Sequence, residues 1–213
     1  MLALILVLIA GQALAAVSAP AGGVAATGRV MGATGFAYLG GLRTFTAAIL
    51  WTRLEPLFHG YYGGKHVKEL KEFLPTMRLV QTLDPQFEQA YYNAAWIVAQ
   101  RGNMEEALAI AREGVKNNPN SGLLRANYVQ LLIIDDKVAN LDEAYDNAVF
   151  GLSPEAQWTT IDDQFEGYAI FRTVFTLRGD DSTADKINEV LERMRLDGAQ
   201  PGQDDERVIP GGE

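Results

Sequence analysis

The chain has no cysteine and only two histidines among its 213 residues. Without cysteine there is no disulfide, no thiolate nucleophile, no cysteine-ligated metal and no covalently attached haem. The spacing of residues in the sequence matches no serine–histidine–acid set, no pair of catalytic carboxylates and no phosphate-binding glycine loop. These absences favour a protein that binds rather than catalyses, and we expect no catalytic residue, no metal and no cofactor.

The two histidines leave one alternative open. His59 and His66 flank a turn rich in glycine and tyrosine, where an exposed role is the simplest interpretation. A metal or haem bound through them, as in an accessory electron-transfer subunit, is the alternative.

Charge is scarce in the first third of the chain. The only charged residues in 1–64 are Arg29, Arg43, Arg53 and Glu55, which give a net charge of +2. Since the whole chain has a net charge of −9, residues 65–213 have a net charge of −11. Because nucleic-acid phosphates require a basic surface, an acidic body of this kind predicts that nucleic acid is not a partner.

The N-terminus is continuously apolar over its first ten residues. Residues 1–19 are just long enough for a single-pass membrane anchor, which is our leading interpretation. The apolar side chains that would form it are Leu2, Leu4, Ile5, Leu6, Val7, Leu8 and Ile9. A cleaved signal peptide ending near Ala13-Leu14-Ala15 and a helix buried in a filament-like assembly are alternatives. The signal-like shape favours an extracytoplasmic body, whereas the positions of the nearest arginines favour the opposite orientation.

The next segments read as a linker and an irregular helix pair. Small residues dominate 20–36, which predicts a flexible tether. Residues 37–84 are expected to hold two helices. The first, 37–58, is apolar almost all round and should lie buried or at an interface. Pro75 is expected to kink or split the second.

Three prolines mark a period in the middle of the chain. Pro119 lies 34 residues after Pro85, and Pro154 lies 35 residues after Pro119. A period in this range is typical of helical repeats. Residues 85–119 contain two helical patterns joined by a short polar turn that ends the first helix at Gly102. The residues that define the pattern are Tyr91, Ala94, Ala95, Val98, Ala107 and Ala111.

This segment resembles a tetratricopeptide repeat (TPR). The resemblance implies an all-α fold, a solenoid of about three to four antiparallel helix pairs preceded by a hydrophobic N-terminal helix. The stretch Gly40-Gly41-Leu42-Arg43, with Leu50-Trp51, is also similar to bacterial membrane-anchored proteins of this class.

Three segments complete the predicted organisation. Residues 120–154 should form a second TPR-like repeat with a lengthened turn at 135–140. Residues 155–197 should form a capping helix pair, with one helix from about Ala156 and another capped by Ser182. Residues 198–213 are interpreted as a disordered tail.

The resemblance also implies a binding groove lined by the first helix of each pair. Asn93 and Asn127 fall at matching places and would bond the backbone of an extended partner peptide, since an amide both donates and accepts. Tyr92, Trp96 and Gln130 are expected on or near the same face. The alternative is that the asparagines bridge neighbouring helices. We therefore expect a membrane-anchored scaffold or assembly subunit with a protein partner, or alternatively a homo-oligomer or filament subunit.

Overall fold

The structure, a computed structural model, describes residues 39–55 and 73–200. Within these ranges the chain folds into eight helices and no strand, which confirms the predicted all-α class. The helices are α1 (39–55), α2 (Phe73–Leu83), α3 (Glu88–Gln100), α4 (Met104–Asn117), α5 (Gly122–Asp136), α6 (Leu141–Gly151), α7 (Ile161–Arg178) and α8 (Asp181–Leu196).

Several predictions fall on other parts of the chain. The anchor (1–19), the linker (20–36) and nearly all of the predicted tail lie outside the described residues, as do His59 and His66. Among the helices of 39–55 and 73–200, none combines the length and apolarity needed to cross a bilayer.

The chain divides into two compact units, Met1–Thr46 and Ala47–Glu213. In the first unit the structure describes the opening two turns of α1. Three apolar side chains there are largely exposed: Leu39 by 61%, Leu42 by 60% and Phe45 by 62%.

In the second unit the later helices pack as consecutive pairs, α3 with α4, α5 with α6 and α7 with α8. Hydrogen bonds between the end of α4 and the start of α3 show that the first pair is antiparallel. Asn117 Nδ2 donates to the Tyr91 hydroxyl at 2.8 Å, and Asn118 Nδ2 donates to the Pro85 carbonyl at 3.2 Å. A buried tyrosine and a half-buried amide are thus paired at the open end of the hairpin.

The second pair is closed in the same way by an arginine. Arg125, in the first turn of α5, donates through Nη1 to Asn147 Oδ1 on α6 at 2.8 Å and through Nη2 to the Pro119 carbonyl at 2.7 Å. Its guanidinium lies 3.7 Å from the centre of the Phe150 ring. Cation–π stacking and two neutral acceptors therefore stabilise this charge.

Small residues allow the helices of each pair to approach closely. Ala107 and Ala111 on α4, and Ala144 and Ala148 on α6, are all fully buried. At these crossings a larger side chain would push the helix axes apart. The two pairs use the same residue type at the same helical spacing of four.

Local sequence explains most helix ends. Asn103 begins α4 by accepting from the Glu106 N–H, while its amide donates to the Glu106 carboxylate at 2.7 Å, a reciprocal cap. Gly102 and Gly179 end helices with φ of 83° and 77°, a backbone conformation that favours glycine.

Two helix starts differ from the sequence expectation. The helix expected from Ala156 begins at Ile161, because Thr160 accepts from the Asp163 N–H and the preceding segment pairs with the start of α5 instead. That pairing joins the Gly122 N–H to the Gln157 carbonyl at 2.8 Å.

The start of the last helix also differs from the sequence expectation. Asp180 caps α8 by accepting from the Thr183 N–H at 3.1 Å, so Ser182, the expected cap, lies inside the helix. Pro75 lies in α2, two residues after Phe73, the first residue of this helix that the structure describes. The residues before Phe73 lie outside the described part of the chain, so the kink or split expected at Pro75 stays a prediction.

Candidate binding face on helices α3, α5 and α7

The first helices of the three pairs contact one another directly. Helix α5 packs on α3 and on α7, as well as on α4 and α6. It is accordingly buried on nearly every side, with eight of its fifteen residues buried. Any face formed by α3, α5 and α7 therefore has α5 at its centre.

The α3 residues expected in the groove are all partly accessible. Tyr92, Asn93 and Trp96 are half-buried, and Trp96 also packs against the main hydrophobic core. Asn93 Nδ2 donates to the Gln89 carbonyl one turn earlier at 2.9 Å. Gln130 on α5 is half-buried as well.

Asn127, the other asparagine expected to bind a peptide, is buried. Only 1% of its surface is exposed, and neither Nδ2 nor Oδ1 has a hydrogen-bond partner within the described part of the chain. In this conformation a peptide in solvent cannot reach the amide. A buried amide without partners destabilises the fold, because its hydration is lost without replacement.

We therefore predict that Asn127→Leu stabilises the protein. The leucine is close in size and removes the desolvated amide, so the free energy of unfolding should rise by about 1–2 kcal/mol. Urea unfolding measures the change. Asn93→Leu is the matched control, since Asn93 is half-exposed and should change stability by less than about 0.5 kcal/mol. A loss of stability in Asn127→Leu would show that the amide is paired in the folded protein.

Two carboxyl groups and a hydroxyl meet where α3, α5 and α7 begin. Glu88 opens α3, Ser121 caps α5 and Asp163 lies in the first turn of α7. Burial raises the pKa of the Glu88 carboxyl, the negative charge of Asp163 raises it further, and a hydrogen bond with Ser121 opposes the rise. Burial is therefore the main cause of the raised pKa, because it disfavours the charged form of the carboxyl.

This arrangement predicts a pH dependence that Glu88→Gln removes. The pKa of folded Glu88 lies above its ordinary value of 4.5, so the folded state binds the proton more tightly than the unfolded state. Relative to Glu88→Gln, the wild type should be most stable below that ordinary value. It should lose stability as the pH rises through the raised pKa and stay level beyond it. Urea unfolding of both proteins across this range tests the sign; a constant difference would contradict it.

Trp158, which the sequence did not single out, is held between two helices. A methyl group added at Gly122 on α5 or at Gly167 on α7 would overlap the indole. The ring also makes edge contacts with Tyr168 and Phe171, at centroid distances of 5.8 and 6.2 Å. The two glycines thus form a slot for one tryptophan at the contact between α5 and α7.

No metal site is evident in the described residues. Residues 39–55 and 73–200 contain no group of three histidine or acidic side chains placed to hold a metal ion. The two histidines, the alternative cofactor ligands, lie outside these ranges.

Family models and curated proteins were both compared with the chain. A scan of protein-family models finds none that matches the chain. A search of curated proteins also finds no match.

Proposed function

We propose that this chain is a TPR-like solenoid that binds a protein partner without catalysing a reaction, as a scaffold or assembly subunit. Three features support the proposal. The helices form consecutive antiparallel pairs, the first two pairs repeat the same alanine crossings, and α5 lies beside both α3 and α7. These features are typical of repeat proteins, in which each pair buries its apolar face against the next.

The observation that carries the binding proposal is the unpartnered amide of Asn127. A leucine there would pack without the cost of desolvation, yet the chain carries a group that both donates and accepts. A peptide unit offers the complementary donor and acceptor. A partner segment that displaces the side chains covering α5 would satisfy both atoms, and Asn93, Tyr92, Trp96 and Gln130 would line the same path.

The partner is expected in a membrane complex. Residues 1–19 would anchor the chain by Leu2 and the apolar side chains that follow, and the helix-pair body would lie on the extracytoplasmic side. The support is the uncharged, apolar N-terminal sequence, together with the acidic remainder, which gives no basic surface for nucleic acid.

The test is co-purification of full-length tagged protein from its native membrane. Asn127→Leu should remain folded, gain stability and lose the protein that co-purifies with the wild type. The control is Val149→Ala on α6, whose side chain is 45% exposed, and it should retain that protein. Equal recovery by both variants would overturn the assigned face. Recovery of further copies of this chain alone would favour the homo-oligomer.

A further inference from the structure

The exposed side chains Leu39, Leu42 and Phe45 follow one another at intervals of three residues in the opening turns of α1. This spacing places them along one side of the helix. Each exposes about three-fifths of its surface, so together they form an apolar strip, which we call the α1 strip. The neighbouring Thr46 does not interrupt it with a free hydroxyl, since Thr46 Oγ1 donates to the Leu42 carbonyl at 2.8 Å.

Within the described residues the α1 strip is small, and this size favours one kind of partner. A specific protein interface takes roughly 20–30 residues on each side, far more than three side chains in two helical turns. A bilayer surface needs no complementary shape. A few apolar side chains insert among its headgroups when the chain is already held nearby.

Charge and sequence position both point to lipid. Arg43 lies within the strip's span and is exposed, and the 38 residues before α1 contain a single charged residue, Arg29. Cationic side chains next to an apolar strip are attracted to anionic headgroups, whereas the body that follows carries a strong negative charge.

We infer that the α1 strip lies in the headgroup region of an anionic membrane. This inference rests on the proposed N-terminal anchor, which keeps α1 near the bilayer. The first turns of α1 then run along the lipid surface, with Leu42 and Phe45 directed into it and Arg43 at the headgroups.

Because the chain has no cysteine, a single introduced cysteine can be labelled specifically. Full-length Leu42→Cys and Phe45→Cys, each labelled with an environment-sensitive fluorophore, are reconstituted into vesicles of phosphatidylcholine and phosphatidylglycerol. Doxyl-labelled lipids should quench both labels severalfold more than a label at the exposed control position Ala109→Cys on α4. Quenching should weaken in vesicles of phosphatidylcholine alone.

The outcomes separate this inference from the anchor. If the protein floats with the vesicles but the labels at 42 and 45 are quenched no more than the label at 109, the lipid assignment of the α1 strip is overturned and the anchor stands. A blue-shifted label that lipids do not quench would likewise overturn it, in favour of a protein contact. Equal quenching in both lipid mixtures would contradict the claim that the α1 strip requires anionic lipid. A protein that fails to float would overturn the anchor and the inference together.

Discussion

Phe171→Ala should lower the free energy of unfolding by about 3–5 kcal/mol, the cost of deleting a fully buried aromatic ring. Phe171 has no exposed surface, and its ring packs close to the backbone at Gly151, where an added methyl group would overlap it. It also contacts Trp158 and Tyr168. The substitution therefore opens a cavity at the point where α6, α7 and the segment between them meet. Urea unfolding measures the loss.

The matched control for Phe171→Ala is Phe45→Ala. Phe45 is 62% exposed, so the same substitution there should change stability by less than about 0.5 kcal/mol in detergent solution. Similar losses at both positions would mean that the ring of Phe171 is not buried as the fold requires. Because domain stabilities are of the order of 5–15 kcal/mol, Phe171→Ala should still be folded in the absence of urea.

Gly167→Ala should destabilise the protein by about 2–3 kcal/mol, although alanine is the better helix former. Its methyl group would overlap the Trp158 indole, which Gly122 confines on the other side, so the ring would have to leave its slot. Gly41→Ala is the matched control. Gly41 also lies inside a helix, but an added methyl group there meets nothing within 4 Å. This substitution should therefore stabilise by roughly 0.5–1 kcal/mol.

The two glycine substitutions are expected to change the free energy of unfolding in opposite directions, which distinguishes the overlap with Trp158 from a general effect of alanine in a helix. The combined variant Gly167→Ala with Trp158→Leu should show a coupling energy, because the smaller side chain relieves the overlap. Gly41→Ala is expected to stabilise the protein. If Gly167→Ala also stabilised it, the placement of Trp158 between α5 and α7 would be contradicted.

Local signals in the sequence predicted the helix pair at 85–119. The period, the alanines spaced by four and Gly102 all act within one turn or one hairpin, and the bounds of α3 and α4 agree with them. Such short-range chemistry can be interpreted from a single sequence because its effects do not depend on distant contacts.

The start of α7 could not be predicted in this way. No residue from Ala156 to Thr160 forbids a helix, but Gln157 pairs with the backbone at Asn120 and Gly122, far away in the sequence. Thr160 then caps the helix, whose first residue, Ile161, lies five residues after Ala156. Tertiary pairing overrode local preference here.

The sequence also gave no indication that Asn127 is buried. Its position in the helix matches that of Asn93, which is half-exposed, so sequence register assigned the same environment to both. What differs is the surroundings: α5 has neighbours on four sides, whereas α3 lies nearer the end of the stack of pairs. The cluster of Glu88, Ser121 and Asp163 was missed for the same reason, since its members come from three separate helices.

The most direct test of the central claim is site-specific photo-crosslinking of the full-length protein in its native membrane. A photoreactive residue is placed at Tyr92 or at Gln130, on α3 and α5, and for comparison at Ala109 or Val149, exposed on α4 and α6. The account predicts crosslinks from Tyr92 and Gln130 to one protein that is not a copy of this chain, and none to it from Ala109 or Val149. Crosslinks to that protein from Ala109 and Val149, with none from Tyr92 and Gln130, would contradict the assignment of the α3–α5–α7 face as the binding surface.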